Sequence, residues 1–160
     1  MEGQRQAPKY RAFLSYSHRD RHWARWLMRR LEIYRTPGRL VGRDGRFGSV
    51  PRRLGPLFRD REELASASDL SGEILAALND AAALILIASP AAAQSRWVNE
   101  EVLAFKRLGR EGRIFTFVVD GDPGAMEGAT ACFPPALRYR LGPDGQPGET
   151  LVEPVAADAR

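Results

Sequence analysis

Residues 82–89 read AALILIAS and are closed by Pro90. A continuous apolar run of this length lacks the in–out alternation of a half-exposed strand. It fits a β-strand covered on both faces, the kind found in parallel sheets with helices on either side. Three more strand candidates accompany it: RAFLSYS over 11–17, a short one centred on Leu57 and Phe58, and RIFTFVVDG over 113–121. Helical spacing fills the intervals. Trp23, Trp26, Leu27, Leu31 and Tyr34 recur at helical intervals with arginines opposite them, and this helix is expected to stop near Thr36, before Pro37 and Gly38. Ser17 and Asp20 have capping-box spacing ahead of it. Leu70, Ile74, Leu78 and Ala81 share a face of a second helix, and a third is expected from about Arg96 to Leu108. Strands alternating with helices imply an α/β fold built on a doubly wound parallel sheet.

The remaining segments are punctuation. Residues 37–56 are rich in Gly, Pro and Arg without periodicity, a long connection. Gly42, Gly45 and Gly48 do not form a dinucleotide fingerprint, since spacing and flanking elements are both wrong. After Asp120 the texture turns loop-like. ALRYRL and TLVEPVA, on either side of GPDGQPGE, are expected to pair as a hairpin. No closing helix follows, so residues 1–160 are expected to be a single domain at the N-terminal end of a longer protein.

The chain has 160 residues, enough for one domain that folds without disulfides or a metal. Cys132 is the lone cysteine, which excludes an internal disulfide and points to a reducing, cytoplasmic setting. The leading MEGQRQAPKYR has no apolar h-region, and the longest apolar run falls far short of the ~20 residues of a membrane span. Charge is uneven: residues 1–61 hold 16 Lys and Arg against 5 Asp and Glu, whereas 62–160 hold 8 against 15. A basic half suits nucleic acid, an anionic membrane, a solvated face, or the acidic surface of a second copy. Nucleic acid is the weakest of these, because the preference for Arg over Lys also follows from GC-rich coding.

In open α/β sheets ligands bind beyond the carboxyl ends of the strands. Those ends here are Tyr16–Arg19, Phe58–Arg61, Ser89–Pro90 and Asp120–Asp122, with the helix start SRWVNEE beside them. Trp97, Val98, Val102, Phe105 and Leu108 make an apolar stripe, and Glu101 falls within it, four residues from both Trp97 and Phe105. Glu100 is turned roughly 100° away, toward solvent. An inward carboxylate costs free energy unless it is paired or faces a cavity, so Glu101 is either an ion-pair partner or a functional group. His18 and His22 lie four apart, but without HExxH or cysteine partners they read as a solvated helix face. There is no GxSxG elbow and no phosphate-binding GxxxxGK loop.

FLSYSHRD, LFRDREEL before a Ser/Ala-rich stretch, ALILIASP and SRWVNEEVLAF, in that order over residues 9–121, together resemble the bacterial branch of the Toll/interleukin-1 receptor (TIR) domain family; CFPPALR adds to the likeness. The resemblance implies a five-stranded parallel sheet in flavodoxin-like order, with a mobile loop, Arg59 to Asp69, after the second strand. It also implies cleavage of NAD⁺, as substrate and with no cofactor or metal, to nicotinamide and ADP-ribose or a cyclic isomer. Ser95, Trp97 and Glu101 match the family's Ser-x-Trp-x-x-x-Glu motif, which makes Glu101 the catalytic candidate. By the same resemblance Tyr16, Ser17 and His18 line the phosphate and ribose side and Phe58 the nicotinamide side; Arg59, Asp60, Ser95 and Trp97 complete the binding set. Some active members carry an aromatic residue after the fourth strand; here DGDPGAMEG stands there, so either Met126 or a neighbouring copy takes that role, or turnover is slow. Head-to-tail self-association through the 59–69 loop is expected, as are a C-terminal sensor or effector domain and a role in antiphage or stress signalling. The competing reading is a non-catalytic TIR docking module.

Overall fold

The computed structural model describes residues 7–59 and 69–160. The chain enters through β1 (Ala12–Ser15), buried along its whole length. Ser17 then caps a single 3₁₀ turn, His18–Asp20, by accepting from the Arg19 amide at 3.4 Å. Helix α1 (Arg21–Ile33) buries Ala24 and Leu27 and exposes Arg21, Arg25, Arg29 and Arg30. It ends three residues before the expected Thr36. Tyr34 has already turned to extended backbone, Arg35 bridges to Arg53, and the Thr36 hydroxyl donates to the Pro51 carbonyl at 2.7 Å. The following connection has therefore captured residues that helical periodicity assigned to α1, and Tyr34 is exposed. Trp26, read as core, is also exposed; its ring stacks on Phe117 beneath the Arg30 guanidinium. Within the long connection, β2 (Asp44–Gly45) and β3 (Gly48–Ser49) form a two-residue ribbon.

Next come β4 (Leu57–Arg59) and α2 (Gly72–Asn79), the latter capped by Ser71 and burying Ile74, Ala77 and Leu78. Residues 60–68, most of the loop singled out in the sequence, lie outside the described residues. The apolar run becomes β5 (Leu84–Ala88). Helix α3 (Pro90–Gln94) follows at once, with Ser89 as its cap and Pro90 in its first turn. Five residues are too few for periodicity to reveal, which is why the sequence did not signal α3. Ser95 both ends α3 and caps α4 (Arg96–Arg107). Then come β6 (Ile114–Val118), α5 (Pro135–Arg138), β7 (Tyr139–Leu141), β8 (Pro147–Leu151) and β9 (Ala156–Asp158).

β7 and β8 form an antiparallel hairpin in the expected region, but ALR belongs to the helical turn α5, and β8 takes Pro147–Glu149 from the segment read as the turn and only Thr150 and Leu151 from TLVEPVA. Periodicity signalled four of the strands; the fifth, which the resemblance implied, is β9 beside β6, with Thr116 opposite Ala156 and Val118 opposite Asp158. The central sheet runs β4-β1-β5-β6-β9, parallel throughout. Counted within that sheet, this is the flavodoxin-like order 2-1-3-4-5.

β5 sits in the middle, and its two faces feed two cores. Leu84, Leu86 and Ala88 pack with Phe13, Ile74, Leu78, Val98, Val102 and Phe105 under α2 and α4. Ile87 packs with Leu14, Ala24, Leu27 and Val119 under α1. Buried Lys106 on α4 donates to Glu111 at 3.0 Å and to the Tyr139 carbonyl at 2.9 Å, holding the hairpin against the core. No helix among the described residues is long and apolar enough to cross a membrane.

At the carboxyl edge, Asp20 does not complete a capping box. It accepts from the Ser89 hydroxyl at 2.5 Å, while the same Ser89 oxygen accepts from the Ala92 amide at 3.0 Å. A buried carboxylate takes the strongest donor within reach, and here that is a hydroxyl from the next strand end rather than its own helix amides. Burial pushes the Asp20 carboxyl above its ordinary 3.8, with Asp120 adding to the rise and the Ser89 hydrogen bond and His22 opposing it.

Two outcomes follow from this packing. Leu86→Ala removes a fully buried side chain from the centre of β5 and should cost about 2–5 kcal/mol, whereas Leu108→Ala, 41% exposed, should cost under about 0.5 kcal/mol. Urea denaturation measures both, and equal losses would refute the assignment of the core. Because the folded state holds the Asp20 proton more tightly than the unfolded chain, this group's contribution to stability is greatest below pH 3.8 and declines as pH rises through the elevated pKa. Asp20→Asn stays neutral and keeps an acceptor for Ser89, so it should gain on wild type as pH rises above 3.8; a stability difference independent of pH would contradict the raised pKa.

Candidate functional site

Helix α4 carries the inward carboxylate because its buried positions, Val98, Glu101, Val102 and Phe105, recur at steps of three and four residues. Glu101 is 2% exposed. Its Oε2 accepts from the Ser15 hydroxyl at 2.5 Å, within the range of an O–H···O⁻ bond. Glu100, one step round the helix, is partly exposed. The apolar stripe differs from the sequence reading at its margins: Trp97 is only half-buried, Leu103 is buried, and Leu108 lies beyond the last turn and is exposed. The helix has ended there, with Gly109 at φ 74° turning the chain away.

Ser15 is the last residue of β1 and stands in register with Leu86 of β5. Chain order reverses between these two strands, the crevice where α/β sheets bind ligands. Strand alternation then sorts the expected binding residues by face. Ser15 lies two residues after Phe13, which stacks on Phe58 with ring centroids 5.2 Å apart, so Phe58 shares the α4 side of the sheet with Glu101. Tyr16 instead packs against the cluster under α1, and Arg59, in register with Leu14, also alternates to that face. The guanidinium Nε of Arg59 is buried and finds no acceptor among the described residues.

The other expected residues occupy the rim. Ser17 is buried as the cap of its turn, and His18 is exposed. Ser17, Ser95 and Trp97 line one hollow of about 390 Å³ together with Arg19, Ala91 and Arg96. Asp60 lies outside the described residues. Met126 is exposed in the loop after β6.

A larger hollow, about 950 Å³, lies at the opposite edge, where Lys9, Ala82 and Arg113 precede β1, β5 and β6. Arg110 lines it while donating to the Asn79 and Ala81 carbonyls at 2.7 and 2.9 Å, the work of a helix C-terminal cap. Size favours that hollow. The chemistry favours the carboxyl edge, where a buried carboxylate meets the strand crossover. Sequence reasoning placed Ser89 at this edge but missed Ser15 and Asp20 as members of it. One signal for Ser15 was available: it is polar, yet has the same strand parity as the apolar Phe13.

Comparison with known proteins agrees with this architecture. Residues 13–123 match the family model described as the TIR-like domain of the Thoeris protein ThsB. The NAD(+) hydrolase ApTIR of Actinoplanes sp. is 36% identical over 143 residues, an alignment that covers 84% of this chain. The chain spans 18% of that relative's length. With β5, α4, β6 and all of β1 but Ala12 inside the matched segment, and with the parallel 2-1-3-4-5 sheet around them, the chain belongs to the TIR-like domain family.

Proposed function

We propose that this domain hydrolyses or cyclises NAD⁺ at the nicotinamide–ribose bond, with Glu101 as the catalytic carboxylate. The observation that carries the reading is the placement of Glu101: buried, held by Ser15, at the carboxyl end of β1 beside the strand crossover. The likeness to a protein named as an NAD(+) hydrolase supports it.

The chemistry asks little of the protein. Nicotinamide leaves as a neutral molecule when the C–N bond breaks and its electron pair returns to the ring nitrogen, so no general acid is required. Positive charge develops on the ribose, and a preorganised carboxylate in a dry site stabilises it far better than water does. Attack by water gives ADP-ribose and releases a proton; attack by a nucleophilic atom of the ADP-ribose itself gives a cyclic isomer. Phe58, on the Glu101 side of the sheet, takes the nicotinamide end. Tyr16, Ser17 and His18, with Arg59 and Asp60, take the ribose and phosphates, and the unsatisfied Arg59 Nε suits an anionic acceptor. Ser95 and Trp97 form the adjoining wall. Self-association through the 59–69 loop, a basic surface against an acidic one, belongs to the same proposal and draws on the charge asymmetry of the chain.

Glu101→Gln should reduce nicotinamide release by at least about 10²–10³-fold, and Glu100→Gln by less than about threefold. Equal losses would refute the facial argument, and an inert wild type, even when clustered, would favour the docking reading. Specific activity should rise with protein concentration and fall with salt, since exposed charges are screened within about 10 Å at 0.1 M ionic strength. Arg61→Glu should flatten the concentration dependence; activity indifferent to concentration, salt and this reversal would indicate a self-sufficient monomer.

A further inference from the structure

We infer that Ser15 is a positioning residue that sets the orientation of the Glu101 carboxylate for the bond-breaking step; the inference rests on the functional reading above. Ser15 is fully buried, so its hydroxyl has no bulk water to bond with and must find a partner in the fold. That partner is Glu101 Oε2, 2.5 Å away and 86 residues on in sequence. A glutamate side chain has three rotatable bonds, and a carboxylate on a helix surface samples many orientations. Here one oxygen is tied to a strand end. The tie is rigid, since β1 is hydrogen-bonded on both sides, to β4 and to β5. The carboxylate is therefore fixed relative to the sheet itself, and to the crevice between β1 and β5, rather than to a loop.

The alternation of β1 makes this a chosen position. Phe13 and Ser15 point to the same side, and the Phe13 site is filled by apolar packing under α4. An alanine at 15 would suit that packing as well. A hydroxyl there carries a desolvation cost that the Glu101 bond offsets. The pair also differs from the second serine–carboxylate contact, Ser89 with Asp20. Ser89 accepts the Ala92 amide as well and so caps α3, whereas the side-chain hydrogen bond described for Ser15 ends on Glu101.

The test is steady-state NAD⁺ cleavage by wild type, Glu101→Gln, Ser15→Ala and Ser15→Thr, with urea denaturation of each. Ser15→Ala should lower kcat about 10- to 100-fold, as expected for a misaligned catalytic group, and leave KM within about threefold. Ser15→Thr, which keeps the hydroxyl, should recover most of the loss. A purely structural serine would show reduced stability with kcat per folded molecule unchanged. Should Ser15→Ala fail to fold, Ser15→Cys, close in size but a weak donor, carries the same comparison. An active wild type with an inactive Glu101→Gln and an unimpaired Ser15→Ala would overturn this inference alone. An inert wild type would overturn the functional reading and this inference with it.

Discussion

β5 is hydrogen-bonded to a parallel strand on each edge and covered by a core on each face, and much of the domain is arranged to satisfy that burial. A parallel strand cannot return directly to its neighbour, so each link crosses over through a helix, and the helices must divide between the faces. α1 covers one side; α2 and α4 cover the other. With β4 placed on the far side of β1, the crossovers diverge between β1 and β5 and leave a crevice at the carboxyl edge. The site is thus a by-product of covering the central strand twice.

At that edge the protein departs from an all-apolar interior in a patterned way. Two carboxylates, Glu101 and Asp20, are buried near the ends of adjacent strands, and each accepts from a serine hydroxyl at 2.5 Å. Such groups are costly to dehydrate, and a hydroxyl donor offsets part of that cost. Asp20 responds with an elevated pKa, and its bond to Ser89 links the turn before α1 to the start of α3. Glu101 is tied to the sheet. Both carboxylates depart from the apolar packing that stability alone would favour at these positions.

The basic character of the first third of the chain has a structural location. Arg21, Arg25, Arg29 and Arg30 point outward from α1, and Trp26 lies flat on Phe117 beneath Arg30. This outer face of α1 is cationic and partly aromatic, on the side of the sheet opposite Glu101.

Much of this was legible locally. The apolar run of β5 announced a two-sided strand, the spacing in α4 turned Glu101 inward and Glu100 outward, and strand–helix alternation implied the doubly wound class; each follows from period and composition within a short window. What neighbours across the fold decide was not legible. β9, with the sequence AAD, is a strand because β6 offers it an open edge. Asp20 abandons a local cap because Ser89, 69 residues away, is the better donor. Leu108 is exposed because the helix ends before it, and Tyr34 because the long connection claims Arg35 and Thr36. Periodicity within one helix or strand turns Glu101, Val98, Val102 and Phe105 inward, and that much can be read from a short window. Whom they meet there, Ser15 for Glu101 above all, was set by the fold, because a hydrogen bond across 86 residues depends on strand order and register, which no local pattern records.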